Sequence, residues 1–167
     1  MKPIIIFGAG KVAQIIHFFF SEYTNRKIIS FCVDSKYKRK DKLNEIPIIK
    51  FDELINDYPP SNVDIFVAMG YQEMNKVREK KYKLFKSMGY TLASYIDPNS
   101  NIPKNCIVGE NCFLMSNICI HPFVKIGNNV FIWSGNANVL LAIVKLLEDK
   151  MNIKRDIKKK TPSFSKT

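Results

Sequence analysis

The residues best suited to chemistry lie at the ends of aliphatic runs. The run from Lys2 to Phe7 ends in Gly8-Ala9-Gly10-Lys11-Val12-Ala13, which fits G-x-G-x-x-A. A glycine at 8 permits a tight turn, and one at 10 lets the backbone approach a phosphate. The small Ala13 lets a following helix close on the strand. Asp34 ends a second run, Ile28-Ile29-Ser30-Phe31-Cys32-Val33, and its carboxylate can accept hydrogen bonds from a ribose or sugar hydroxyl. Met69-Gly70-Tyr71 closes a third run, Val63 to Ala68, and ligands of open α/β sheets bind beyond such carboxyl ends. The pattern fits a nucleotide-type ligand. The same glycines with Asp34 also suit NAD, and a βαβ unit with an empty crevice would need them for packing alone.

Other reactive side chains are few. A general base at neutral pH calls for an imidazole, and the sequence holds two, His17 and His121. His17 falls on the helix predicted after the glycine turn, where a surface or internally satisfied role is expected. His121 sits beside Pro122 on a predicted turn. Cys32, Cys106, Cys112 and Cys119 show no C-x-x-C spacing, so no zinc site is expected and they read as reduced, small, mostly buried hydrophobes. No catalytic residue and no metal ligand is assigned.

The elements that must position these groups come in two styles. Val12, Ile15, Ile16, Phe19, Phe20 and Tyr23 recur at helical spacing after the first run. A charged loop over 36–45 leads to a short strand, Ile46–Ile49, and a short helix, Phe51–Ile55. After the Val63–Ala68 strand the pattern predicts a basic amphipathic helix over 72–88, stopped by Gly89. One more strand, Thr91–Ile96, precedes Asp97-Pro98-Asn99-Ser100. From there the period changes to six: Ile102, Val108, Leu114, Ile120, Ile126 and Ile132 are all aliphatic. A six-residue repeat is neither a helix face nor a simple strand, and it predicts a parallel β-helix of hexapeptides, three to a coil.

A Rossmann-like domain opening with Gly8-Ala9-Gly10-Lys11, then Val67-Ala68-Met69-Gly70-Tyr71, then Tyr95-Ile96-Asp97-Pro98 and hexapeptides, resembles the sugar O- and N-acyltransferases of the NeuD/PglD type. The likeness covers about residues 3–136, with Pro122 to Val130 and Trp133-Ser134-Gly135-Asn136 especially similar. The resemblance implies a left-handed β-helix, a homotrimer, a nucleotide sugar bound in the N-terminal domain, and acetyl transfer from acetyl-CoA. By position, Gly8, Gly10, Lys11, Asp34 and Gly70 would line the nucleotide-sugar site. It also implies a histidine-rich turn with the general base after Gly135-Asn136, yet here the chain reads Ala137-Asn138-Val139-Leu140-Leu141.

The repeat lapses at the same point, with Asn138, Val144 and Lys150 on the six-residue spacing, while Val139, Leu140, Ile143, Val144, Leu147 and Met151 follow a helical stripe. Three segments are therefore expected: a Rossmann-like domain over 1–97, a partial left-handed β-helix over 98–136, and an atypical basic helix with a disordered tail over 137–167. A frame shift near codon 137, giving a truncated product, would account for the joint loss of repeat and histidine. Two functions follow from the resemblance. One is an acetyl-CoA-dependent acetyltransferase acting on a nucleotide-linked or surface-polysaccharide sugar. The other is a non-catalytic nucleotide-sugar-binding remnant, with an NAD-dependent oxidoreductase as a third reading.

Composition narrows the classes further. Among 167 residues, 26 Lys and Arg against 15 Asp and Glu give +11. Residues 137–167 hold eight and three of these, hence +5 of the +11. The remaining lysines read as a solvated surface, without a nucleic-acid motif. With 46% hydrophobic residues the chain is not a disordered one. No apolar stretch approaches the roughly 18 residues that span a bilayer, and a cytoplasmic protein is expected.

Overall fold

Four consecutive residues, Ile4–Phe7 (β1), are at most 2% exposed, so this strand is covered on both faces, as its unbroken apolar run predicts. The computed structural model, which describes residues 1–135, supplies both covers within one unit. On one face Ile4 and Ile6 pack with Ala13, Ile16 and Phe20 of α1 (Lys11–Tyr23). Helix α1 forms because those positions lie three and four apart on one stripe. It stops at Thr24, whose hydroxyl donates to the Phe20 carbonyl at 2.6 Å.

Beside β1 lie β2 (Ile28–Val33) and, beyond a 3-10 turn at Ser35–Tyr37, the short β3 (Lys42–Leu43) and β4 (Ile46–Lys50). Two helices, α2 (Phe51–Asp57) and α3 (Lys76–Ser87), flank β5 (Asp64–Val67) in the chain. Leu54 of α2 and Phe85 of α3 close the second face over Ile5 and Phe7. The sheet order is β3-β4-β2-β1-β5, parallel except for the β3–β4 pair. At Gly89 (φ +86) α3 ends in a paired backbone lock: Gly89 N donates to Lys86 O, Tyr90 N to Phe85 O, and the Phe85 and Tyr90 rings meet at 5.7 Å.

Two elements depart from the sequence reading. The helix predicted over 72–88 begins only at Lys76, because Glu73, Met74 and Asn75 take left-handed φ values of 49, 52 and 69°. This turn lies between two anchors: the Tyr71 hydroxyl is bonded to Trp133, and Arg78 on α3 is bonded to Asn129. The strand predicted over Thr91–Ile96 divides. Leu92 bridges to Ile65 on the free edge of β5, whereas Tyr95–Ile96 (β6) joins the second half of the chain.

That second half stacks at a spacing of 18 residues. The strand β8 (Phe113–Leu114) lies parallel to β6 on one side and to β10 (Phe131–Ile132) on the other. The strand β7 (Ile107–Val108) pairs in parallel with β9 (Lys125–Ile126). Three hexapeptides thus make one coil. Leu114, Ile120, Ile126 and Ile132 are buried, and Ile102 and Val108 half-buried. Corners recur with the same period: Asn111, Asn117, Phe123, Asn129 and Gly135 all have φ between 53 and 78°, the left-handed region that asparagine and glycine tolerate best. At Gly109 an added Cβ would lie 2.5–2.8 Å from Gly127 and Asn128, one coil on, so the close stacking of coils there demands glycine. The helical stripe and tail expected beyond 137 lie outside the described residues.

Candidate functional site

The strand order brings the five sequence-selected residues to one edge of the sheet. Gly8, Gly10 and Lys11 follow β1, Asp34 follows β2, and Gly70 follows β5, on either side of β1. The three strand exits are knitted together: Gly8 N donates to Cys32 O and Ala68 N to Phe7 O, each at 2.8 Å. Gly8 is required by the protein itself. Its φ is +122°, and a Cβ there would fall 2.6 Å from the Ala68 carbonyl oxygen. Gly10 and Gly70 differ, for a Cβ on either would meet nothing within 4 Å. Their bare backbone faces open space. Gly10 is the N-cap of α1, which has no side-chain cap and no acidic residue in its first turn, so the positive end of the helix dipole is left for an anion.

Asp34 is not free. Lys81 Nζ lies 2.5 Å from its Oδ1, both side chains being about a quarter or less exposed, and the ammonium also sits 4.9 Å over the Phe7 ring and 5.1 Å over the Phe51 ring. The edge of β2 therefore presents a carboxylate and a cation together. Sequence spacing could not pair positions 34 and 81, which meet only because α3 crosses the strand exits. Such a partly exposed pair contributes about 0–1 kcal/mol to stability.

Next to Gly70 the sheet meets the coils through a buried polar network. The side chain of Asn111, fully buried, accepts from Val67 N–H at 2.7 Å and donates to Asn129 Oδ1 at 2.8 Å, with its Nδ2 also 3.4 Å from Val67 O. Its carboxamide thus pairs with the free edge of β5 as a neighbouring peptide group would. Arg78, 2% exposed, donates from Nε to Asn129 Oδ1 and from Nη2 to Asn129 O at 3.0 and 3.1 Å, and its guanidinium lies 3.8 Å from the Phe131 ring centre. Burial pulls its pKa below the usual guanidinium value. Nothing in a local pattern singles out Arg78, because its acceptors on Asn129 lie some fifty residues on. Asn111 and Asn129 did carry a signal, being 18 apart in a chain of period six.

The remaining reactive groups sit elsewhere. His17 rests against Phe31 and Ser21 on α1, and burial lowers its pKa. His121 is exposed, its carbonyl accepting from Cys106 Sγ. Cys32 and Cys112 are buried, which pushes both thiols up, whereas Cys106 is half-buried and Cys119 exposed. Among the described residues no group of three or more His, Cys, Asp or Glu could hold a metal ion, and no helix is long and apolar enough to cross a membrane.

Comparison with known proteins finds two family matches. The PglD N-terminal domain matches residues 3–85, and the bacterial transferase hexapeptide (six repeats) matches residues 105–136. No curated protein matches the sequence. Among solved structures, a perosamine N-acetyltransferase from Caulobacter crescentus in complex with CoA and GDP-perosamine is similar, with TM-score 0.69 and 18% identity over 81% of this chain and 61% of that one. The acetyltransferase domain of PglB from Neisseria gonorrhoeae, in complex with acetyl coenzyme A, has TM-score 0.66 and 18% identity over 79% and 62%. WeeI from Acinetobacter baumannii has TM-score 0.54 and 20% identity over 79% and 64%. At these identities the likeness is one of fold, and the chain spans somewhat over three-fifths of each relative's length.

Proposed function

Because this chain joins a PglD N-terminal domain to transferase hexapeptides and so belongs with the NeuD/PglD-type sugar acyltransferases, we propose that it binds a nucleotide sugar. The site is the edge of the sheet beyond β1, β2 and β5. Gly10 and the first turn of α1 receive the phosphates, with Lys11 beside them. Asp34 accepts hydrogen bonds from the ribose, Gly8 holds the turn, and Gly70 leaves the backbone bare beyond β5. The observation that carries this reading is the contrast between the glycines: Gly8 is demanded by its own contacts, whereas Gly10 and Gly70 face open space next to an uncapped helix end.

The reaction that fits is acetyl transfer from acetyl-CoA to a hydroxyl or amine of that sugar, with the stacked coils winding as a left-handed β-helix in a homotrimer. In such a transfer the thioester C–S bond breaks, a C–O or C–N bond forms, and the proton of the attacking group reaches the departing CoA thiolate through a general base. The domain boundaries that accompany this reading are 1–97 for nucleotide-sugar binding and 98–136 for the coils, within a cytoplasmic enzyme. A second reading, nucleotide-sugar binding without transfer, is favoured by a specific observation: the six-residue period lapses at Asn138, and no histidine occurs between 122 and 167.

One assay separates the two. Full-length protein is mixed with acetyl-CoA and a panel of amino-sugar nucleotides, thiol release is followed, and nucleotide-sugar binding is measured in parallel by calorimetry. Sugar-dependent thiol release supports the transferase. Binding without release supports the second reading, and no binding at all defeats both.

A further inference from the structure

The crevice has a further wall that the glycines do not explain. In the order β2-β1-β5 the three strand exits stand side by side, about 4.8 Å apart. With the ribose at Asp34 and the phosphates at Gly10, whatever the phosphates carry emerges beyond β5, at Gly70 and Tyr71. There the Tyr71 hydroxyl, on a residue 53% exposed, accepts a hydrogen bond from Trp133 Nε1 of the coils. Trp133 is half-buried and set edge-on against Phe113, with ring centres 5.3 Å apart. Trp133 and Phe131 pack on the same apolar cluster as Ala9 and Val12 of the glycine turn. Arg78 fixes this corner, with its guanidinium 5.9 Å from the Tyr71 ring centre and its Nη1 3.4 Å from the Met69 carbonyl.

Two part-exposed aromatic rings joined by a polar edge suit the C–H face and hydroxyl rim of a pyranose. Building on the nucleotide-sugar reading above, we propose that Tyr71 and Trp133 form the subsite for the sugar of the bound nucleotide sugar. They contact it from the sheet and the coils together, and so set which sugar is accepted.

Trp133 is the chain's only tryptophan, so its emission reports on this subsite alone. Full-length protein is titrated with UDP-N-acetylglucosamine and GDP-mannose, and with UDP and GDP, while calorimetry gives each affinity. The nucleoside diphosphates should bind without moving the emission, and a nucleotide sugar should bind more tightly and move it. Tyr71→Ala, a change at an exposed residue, should weaken the nucleotide sugar about tenfold, the loss of one stacking contact, and leave the nucleoside diphosphate unchanged. Trp133→Phe, which keeps a ring on Phe113, should weaken only the nucleotide sugar by calorimetry.

Three results would overturn the subsite. A nucleotide sugar could bind without moving the emission, or Tyr71→Ala could weaken both ligands equally. A nucleoside diphosphate alone could also move the emission as far as its sugar conjugate, which would put the base at the aromatic pair. If calorimetry shows no binding of any of the four ligands, the nucleotide-sugar reading falls and this subsite with it.

Discussion

Replacing Asn111 tests how the sheet is held to the coils. Its buried carboxamide accepts from Val67 N–H at 2.7 Å and donates to Asn129 Oδ1 at 2.8 Å, while its backbone sits at φ 53°. Asn111→Ala leaves the buried Val67 N–H unpaired, at about 1–3 kcal/mol, while Asn129 Oδ1 keeps the hydrogen bond from Arg78 Nε. Alanine in the left-handed region adds about 1 kcal/mol more. The sum, about 2–4 kcal/mol, is a large part of the roughly 5–15 kcal/mol that holds a domain folded. Asn111→Gly breaks the same hydrogen bonds but tolerates the backbone, so it should cost about 1 kcal/mol less than alanine. Equilibrium urea unfolding, read by tryptophan emission and far-ultraviolet circular dichroism, measures both. If alanine costs less than about 1 kcal/mol, or glycine costs more than alanine, Asn111 does not pair with β5 as described.

Three further outcomes are expected. Gly109→Ala should destabilise the coils by about 1–3 kcal/mol through overpacking, because its Cβ would lie within 2.8 Å of the next coil, whereas Gly127→Ala, with nothing within 4 Å, should change thermal stability little. Met74→Gly relieves a left-handed methionine that is 87% exposed and should raise stability by about 1 kcal/mol in the same urea titration. Burial holds the His17 pKa below its ordinary 6.5, so the unfolded chain binds that proton more readily. Its contribution to stability is therefore present above pH 6.5 and lost as pH falls below it. In a series of melting curves His17→Gln should flatten that acid limb, and an unchanged limb would assign it to other groups.

What could be read in advance was whatever depends on near neighbours. The apolar run before Gly8 announced a strand covered on both faces, and β1 is one. The six-residue series announced stacked coils, and Phe113 pairs with Tyr95 and Phe131 at multiples of that period. The series even extends back to Ile96, so Tyr95–Ile96 pairs with the coils instead of extending the bridge that Leu92 makes to β5. The corner code was also visible, in Asn111, Asn117 and Asn129 at one spacing, but it becomes meaningful only with their positive φ values. Contacts between distant positions were not legible. Lys81 reaches Asp34 across 47 residues and Trp133 reaches Tyr71 across 62, pairings decided by where α3 and the coils pack. The left-handed turn at Glu73–Asn75 was hidden for the same reason, since residues with ordinary helix propensity are held out of the helix by anchors on both sides.

The proposed function requires a nucleotide sugar to bind at the edge of the sheet beyond β1, β2 and β5. Calorimetric titration of the full-length protein with a panel of nucleotide sugars, and with NADH on the same preparation, tests it most directly. Saturable binding of at least one nucleotide sugar is expected, abolished by Gly10→Glu, which sets a side chain and a negative charge at the uncapped helix end, with no saturation by NADH. Saturation by NADH with none by any nucleotide sugar would contradict it, and would make the crevice a dinucleotide site instead.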